Sequence, residues 1–116
     1  MNDCLFCSIA GGDKANLIWE NDIAVAFKDI HPKAPVHVLV VPKQHVATLD
    51  ELDDEVLAGR LVTAAREVAR KLGIDQAYRF HINSGRAAGQ IIDHVHIHLL
   101  GKLTPQGIDD LRSEGL

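Results

Sequence analysis

The apolar positions of the chain follow two periodicities, one typical of helices and the other of strands. Between residues 52 and 72, apolar side chains recur at steps of three and four, which predicts one long amphipathic helix. Thr48 together with Glu51, or else Asp53, is suited to begin this helix, and Gly73 is suited to end it. The predicted buried face consists of Leu52, Val56, Leu57, Leu61, Ala65, Val68, Ala69 and Leu72.

Five shorter apolar segments have the composition and alternation of strands. They lie at residues 17–20, 23–27, 36–41, 78–83 and 91–100. A short helix is predicted around Leu5, Phe6 and Ile9, and the polar tail predicts only a helical turn near residues 108–111. Most connections are short, which favours antiparallel pairing. The pattern therefore predicts an α+β fold, with a five-stranded antiparallel sheet, one main helix and a short N-terminal helix.

Composition and charge narrow the class of protein. A chain of 116 residues that is 47% hydrophobic and 24% charged is typical of one globular domain, here spanning residues 1–116. The net charge of −4 gives no electrostatic argument for a nucleic-acid partner or an acidic membrane surface. No apolar run approaches the ~20 residues that span a bilayer, and the first residues lack the features of a secretory signal. We therefore expect a cytoplasmic protein without a nucleic-acid or membrane partner.

Three histidines alternate along the last predicted strand. Side chains alternate between the faces of a strand, so His94, His96 and His98 share one face, opposite an apolar face that belongs in the core. Crowded imidazoles lower one another's pKa, and neutral imidazoles are what metal binding and nucleophilic attack require. Besides a solvent-facing row without a task, two chemistries are therefore open: a shared metal ion, or attack of a histidine on phosphorus.

The segment that precedes these histidines favours attack on phosphorus. Residues 83–90 contain two glycines, which allow a close approach of the backbone, and consecutive backbone N–H groups can bind anionic oxygens. Such a loop alone is a weak signal. Joined to the histidine strand, it favours a phosphate site in which one of the histidines attacks phosphorus.

The two cysteines form a C-x-x-C pair, Cys4 and Cys7. In a cytosolic protein this spacing is typical of half a metal site or of a redox pair. A thioredoxin-like pair would follow a strand, and no strand is predicted before Cys4. We therefore favour a metal site, which needs two further ligands.

Three segments of the chain carry a family resemblance. They are 27–37 (FKDIHPKAPVH), 42–45 (PKQH) and, above all, 89–101 (GQIIDHVHIHLLG). Through them the chain resembles the histidine triad (HIT) family over most of its length. It is more similar to the small nucleoside phosphoramidases of that family than to its dinucleoside polyphosphate hydrolases.

The resemblance implies an enzyme that cleaves purine nucleoside 5′-phosphoramidates or related phosphoesters. His96 would attack the α-phosphorus and form a covalent nucleotidyl-histidine, which water then hydrolyses. His98 would contact the α-phosphate and the leaving group, and His37 would orient or tune the triad. The backbone carbonyl of a neighbouring residue would fix the tautomer of His96.

The resemblance also implies a nucleotide site. Asp29 would accept hydrogen bonds from the ribose hydroxyls, and Phe27 and Ile30 would flank the base. The phosphate side would be completed by Asn83, Gly89, Gln90 and Ile91. Many similar phosphoramidases have a serine where this chain has Ile91, so only a backbone N–H is expected to serve the leaving group at that position.

A structural zinc site and a homodimer follow from the same resemblance. His45 and His94 would join Cys4 and Cys7 as ligands, and a Cys2His2 set closes a tetrahedral site without an open position for catalysis. In the family, the sheets of two protomers join.

Other interpretations remain at this point. The chain could be a dinucleoside polyphosphate hydrolase, a nucleotide-binding regulatory adaptor with weak catalysis, or a metal-dependent hydrolase that uses the triad directly. His31 is expected to be a solvated loop residue. His81 could line the site or belong to the core.

Overall fold

The computed structural model describes residues 4–11 and 16–113. Five strands form one antiparallel sheet in the order β1-β2-β3-β5-β4, and three α-helices accompany it. The strands are β1 (Leu17–Glu20), β2 (Ala24–Lys28), β3 (Val36–Pro42), β4 (Tyr78–His81) and β5 (Ile97–Gly101). The helices are α1 (Leu5–Gly11), α2 (Glu55–Lys71) and α3 (Pro105–Ser113), and 3-10 turns lie at Leu49–Glu51 and Arg86–Ala88. The predicted fold class is confirmed.

The sheet is covered on both faces near its centre. Helix α2 packs its apolar side on one face, where Leu61 and Val68 meet Val38, Val40 and other side chains of the central strands. Helix α1 covers the other face, where Phe6 joins a second apolar cluster that includes Phe27. Because β2 and β3 are buried on both faces, their sequences are mostly apolar rather than alternating, with His37 and the exposed Lys28 as the polar exceptions.

The start of α2 differs from the prediction. Thr48 caps the separate 3-10 turn, where its side chain accepts a hydrogen bond from the backbone N–H of Glu51. Asp54, rather than Asp53, caps α2 and accepts hydrogen bonds from the N–H groups of Val56 and Leu57. Val56 was predicted on the buried face, but it is 67% exposed, while Leu57 in the same turn is buried. Gly73 follows the helix with a positive φ of 72°, as predicted for a helix stop.

The last strand is shorter than predicted, and this changes the setting of the triad. Strand β5 begins at Ile97, which pairs with Val40, so only His98 of the three histidines lies in a regular strand. Before Ile97 the chain no longer pairs with β3, because β3 ends at Pro42, which has no N–H to donate. The N–H of Val95 instead donates to the carbonyl of Val46, beyond the end of β3.

Two smaller differences lie at the edges. Strand β4 ends at His81 rather than at residue 83, and the tail contains a nine-residue helix where only a turn was predicted. Among the described residues, no helix is both long and apolar enough to cross a membrane.

Candidate active site and metal cluster

His96 is held in one tautomer by the backbone. Its Nδ1 lies 2.8 Å from the carbonyl oxygen of His94, and a carbonyl can only accept, so Nδ1 carries the hydrogen. In the neutral ring the lone pair is then on Nε2. Burial lowers the pKa of His96, although the bond to the carbonyl and the charge of Asp29 act in the opposite direction. The result is a neutral imidazole with Nε2 available, as nucleophilic attack requires.

His37 and His98 form a short hydrogen-bond chain that also fixes their tautomers. The backbone N–H of Lys33 donates to Nδ1 of His37, 3.0 Å away, so the hydrogen of His37 is on Nε2. That Nε2 lies 2.9 Å from Nδ1 of His98, which must accept. The neutral His98 ring therefore carries its own hydrogen on Nε2 and can donate it to a phosphate oxygen or a leaving group.

Asp29 lies beside this chain. Its Oδ1 accepts the N–H of His31, 2.9 Å away, and its Oδ2 is 3.4 Å from Nε2 of His37. Asp29, His37 and His98 could be mistaken for a metal site, since their ligand atoms lie within 4.8 Å of one another. The N–H of Lys33 argues against it, because it leaves Nε2 of His37 protonated and without a lone pair for a metal.

Phe6 is a residue of this site that the sequence did not reveal. Its ring meets the ring of His96 edge-on, with centroids 5.0 Å apart at 83°, and it also contacts Phe27 at 5.3 Å. In the sequence Phe6 is an ordinary apolar residue of a short helix. Nothing local indicates that it contacts a residue 90 positions away.

The residues predicted to line the nucleotide site differ in exposure. Ile30 and Ile91 are 81% and 78% exposed, so both side chains are accessible to a ligand. Phe27 is only 5% exposed and belongs to the core cluster beneath the triad. His31 is exposed, as expected of a solvated loop residue.

The loop between β4 and the triad has its predicted irregular backbone. Gly85 and Gly89 have φ values of 91° and 96°, a region that favours glycine. The side chain of Asn83 donates to the carbonyl of Ala88 across this loop.

Gln90 was predicted to contact the phosphate, and the structure gives its side chain another task. It is 2% exposed, its Nε2 donates to the carbonyls of Ala47 and Ile92, and its Oε1 accepts the N–H of Gly85. With both ends of the amide engaged, Gln90 braces the loop rather than facing a ligand.

The four predicted metal ligands do converge. One ligand atom from each of Cys4, Cys7, His45 and His94 lies within 4.8 Å of the others. Cys7 Sγ is 3.0 Å from Nδ1 of His45 and 3.1 Å from Nδ1 of His94. Nε2 of His94 lies 2.8 Å from the carbonyl of Pro42, so it carries the hydrogen and leaves the Nδ1 lone pair directed at the cysteines. Two thiols and two imidazoles so arranged fit a tetrahedral zinc ion.

The sequence model of the HIT domain matches residues 11–104. The chain belongs to the HIT family. An uncharacterized HIT-like protein of Synechococcus elongatus is 44% identical to it over 89 residues, which are 75% of this chain and 78% of that protein.

Solved structures of HIT proteins share its fold. A HIT family hydrolase from Legionella pneumophila Philadelphia 1 superposes with a TM-score of 0.82 at 37% identity, covering 88% of this chain and 95% of that one. A zinc-bound histidine triad family protein from Mycobacterium smegmatis superposes with a TM-score of 0.73 at 32% identity, covering 89% of this chain and 77% of that one.

Proposed function

We propose that this HIT protein is a cytoplasmic hydrolase that cleaves purine nucleoside 5′-phosphoramidates or related phosphoesters through a covalent nucleotidyl intermediate on His96. The observation that carries the proposal is the hydrogen bond from Nδ1 of His96 to the carbonyl of His94, which leaves the lone pair of a neutral ring on Nε2. The family's hydrolase members support the general reaction class.

The reaction proceeds in two displacements at phosphorus. Nε2 of His96 attacks the α-phosphorus and the bond between phosphorus and the leaving nitrogen breaks. That nitrogen takes a proton from solvent and departs as a neutral amine, to which Nε2–H of His98 donates a hydrogen bond. The carbonyl of His94 stabilises the positive charge that develops on the His96 ring. Water then attacks the same phosphorus, which breaks the bond to Nε2 and releases a nucleoside monophosphate and the free histidine.

The nucleoside part of the substrate is assigned to the loop after β2. Asp29 accepts from the ribose hydroxyls with the lone pairs that its bonds to His31 and His37 leave free. Ile30 is an exposed apolar side chain, and burying it against a base is favourable. Gly89, Asn83 and the backbone N–H of Ile91 serve the phosphate side.

Turnover of an adenosine 5′-phosphoramidate tests this proposal. We expect the wild-type protein to hydrolyse it faster than a diadenosine polyphosphate, and His96→Ala to lose at least about a thousandfold in kcat. The exposed His31 provides a matched control, and His31→Ala should retain activity. Mass spectrometry of a quenched reaction should detect a nucleotidyl group on His96.

Two results would redirect the interpretation. Turnover that survives in His96→Ala would overturn the assignment of the nucleophile. Tight nucleotide binding by the wild-type protein without any turnover would favour a regulatory adaptor instead.

We further propose that Cys4, Cys7, His45 and His94 hold a structural zinc ion. Zinc would tie the segment that begins α1 to the end of β3 and to the segment before β5, and it would offer no open coordination position for substrate. Purified protein should contain about one equivalent of zinc, and Cys4→Ser should lower both the zinc content and the melting temperature. Less than about half an equivalent, with Cys4→Ser as stable as wild type, would contradict this site.

We also propose that the protein is a homodimer whose sheets join along β4. This strand is at the edge of the sheet, and its Phe80 is 39% exposed. An edge strand offers unpaired backbone groups to a second copy. Light scattering after gel filtration should give about twice the chain mass of 12.7 kDa, and Phe80→Lys should shift the protein toward monomer. A monomeric wild-type mass would contradict the proposal.

A further inference from the structure

His81 lies directly opposite His98 across the ladder between β4 and β5. The two rings are stacked, with centroids 4.5 Å apart and planes inclined by 15°. His98 also meets the rings of His37 and His96, but at angles of 47° and 59°. His81 is therefore the neighbour whose flat face lies against the flat face of His98.

The contacts around His81 give no stabilising reason for a histidine at this position. Its Nδ1 is buried and has no hydrogen-bond partner among the residues that the structure describes. A buried polar nitrogen without a partner is unfavourable, and an aliphatic side chain would fill the same space without that cost. A histidine, unlike an aliphatic residue, places a flat ring against the ring of His98.

We propose that His81 is a positioning residue for the reaction: its stacked ring fixes the plane of His98 and so keeps Nδ1 of His98 in line with the hydrogen bond from His37. This inference rests on the proposed function, in which His98 donates from Nε2 to the leaving group. Rotation of the ring would break the 2.9 Å bond to His37 and misdirect the Nε2 hydrogen at the same time. The stack opposes that rotation, because turning the ring of His98 out of the parallel arrangement would lose its face-to-face contact with His81.

The charges around the stack act in the same direction. Burial first, and then the imidazoles of His81, His96 and His37, lower the pKa of His98 to about 3. The pKa of His81 is also lowered, by burial and by Arg79, His37 and His96. The acidic residue grouped with His37 and His98 is Asp29. Burial and the neighbouring imidazoles thus keep His98 the neutral acceptor that the bond from His37 requires.

Two variants distinguish the effect of a flat ring from the effect of side-chain volume. His81→Phe keeps a flat ring without the ring nitrogens, and His81→Leu keeps an apolar side chain without a flat face. We expect kcat of His81→Phe to stay within about threefold of wild type and kcat of His81→Leu to fall by about tenfold or more, with KM changed less than twofold in both.

Nitrogen-15 spectra of the imidazoles give a second readout that needs no turnover. In wild type and in His81→Phe, His98 should be a single tautomer with hydrogen on Nε2. In His81→Leu its two nitrogens should shift toward the average of both tautomers.

The two readouts keep this inference separate from the proposed function. If the wild-type protein hydrolyses no phosphoramidate, the nitrogen-15 spectra still test the role of His81. Equal kcat values for the two variants, together with an unchanged His98 spectrum in folded His81→Leu, would overturn the inference. Should His81→Leu fail to fold, a His81→Phe protein that folds but loses the wild-type tautomer of His98 would overturn it as well.

Discussion

At the scale of single residues, three chemically identical histidines acquire different roles through their hydrogen-bond partners. His94 donates from Nε2 to the carbonyl of Pro42, so its Nδ1 is turned to the cysteines. His96 donates from Nδ1 to the carbonyl of His94, so its Nε2 is left for a substrate. His98 accepts at Nδ1 from His37 and can donate from Nε2. In each case, the ring nitrogen that the protein engages decides which one remains for chemistry.

Gln90 shows the same dependence on partners, and it yields a prediction. Gln90→Glu keeps the size of the side chain but replaces its two donor bonds, to the carbonyls of Ala47 and Ile92, by repulsion between oxygens. We expect the free energy of unfolding to fall by about 2–3 kcal/mol, measured by urea denaturation. The exposed Gln44 is the control: Gln44→Glu should change stability by less than about 0.5 kcal/mol. An equal effect of both variants would contradict the bracing role of Gln90.

At the scale of elements, the boundaries are decided by caps and partners rather than by apolar periodicity. The run of acidic residues before α2 offers several helix starts, and only Asp54 places its carboxylate over the first N–H groups. The apolar run from residue 91 to residue 100 is longer than the strand it contains, because β3 offers no N–H at Pro42. Periodicity locates these elements to within a few residues, and the contacts set their ends.

The cap of α2 can be tested against its neighbour. Asp54→Ala removes an acceptor for two backbone N–H groups and should lower the free energy of unfolding by about 1 kcal/mol. Asp53→Ala removes an adjacent exposed carboxylate that does not cap the helix, and its effect should be below about 0.5 kcal/mol. Urea denaturation of the two variants at one pH makes the comparison. A larger loss in Asp53→Ala would show that the helix begins elsewhere.

At the scale of the whole molecule, the site joins segments that are far apart in the sequence. Helix α1 contributes Phe6 and Cys7, and Cys4 directly precedes it. The strands β3, β4 and β5 contribute His37, His81 and His98. All of them depend on the same antiparallel sheet for their positions. Protonation of the buried imidazoles of the site at acid pH should therefore lower the stability of the fold.

His98 contributes to the pH dependence of stability. Its pKa is about 3 in the folded protein and should be near 6.5 in the unfolded chain. Between these values the unfolded chain binds more protons, so this contribution to stability is present above pH 6.5 and is lost as the pH falls toward 3. We expect the urea midpoint of wild type to fall more steeply between pH 7 and pH 4.5 than that of His98→Asn. His31→Asn, at an exposed position, should keep the wild-type slope, and a His98→Asn protein with that same slope would contradict the prediction.

The sequence by itself determined the α+β class, the five strands and the family. Periodicity and a long motif are local properties, so they can be read without knowing which segments meet. The candidate ligands Cys4, Cys7, His45 and His94 were likewise predicted from the resemblance, and the structure brings them together.

Only the tertiary structure decided how the histidines are used. The stack of His81 on His98, the contact of Phe6 with His96 and the bracing by Gln90 each join residues from different elements. A side chain's tautomer, exposure and pKa depend on neighbours that the fold supplies, and those neighbours leave no local pattern in the chain.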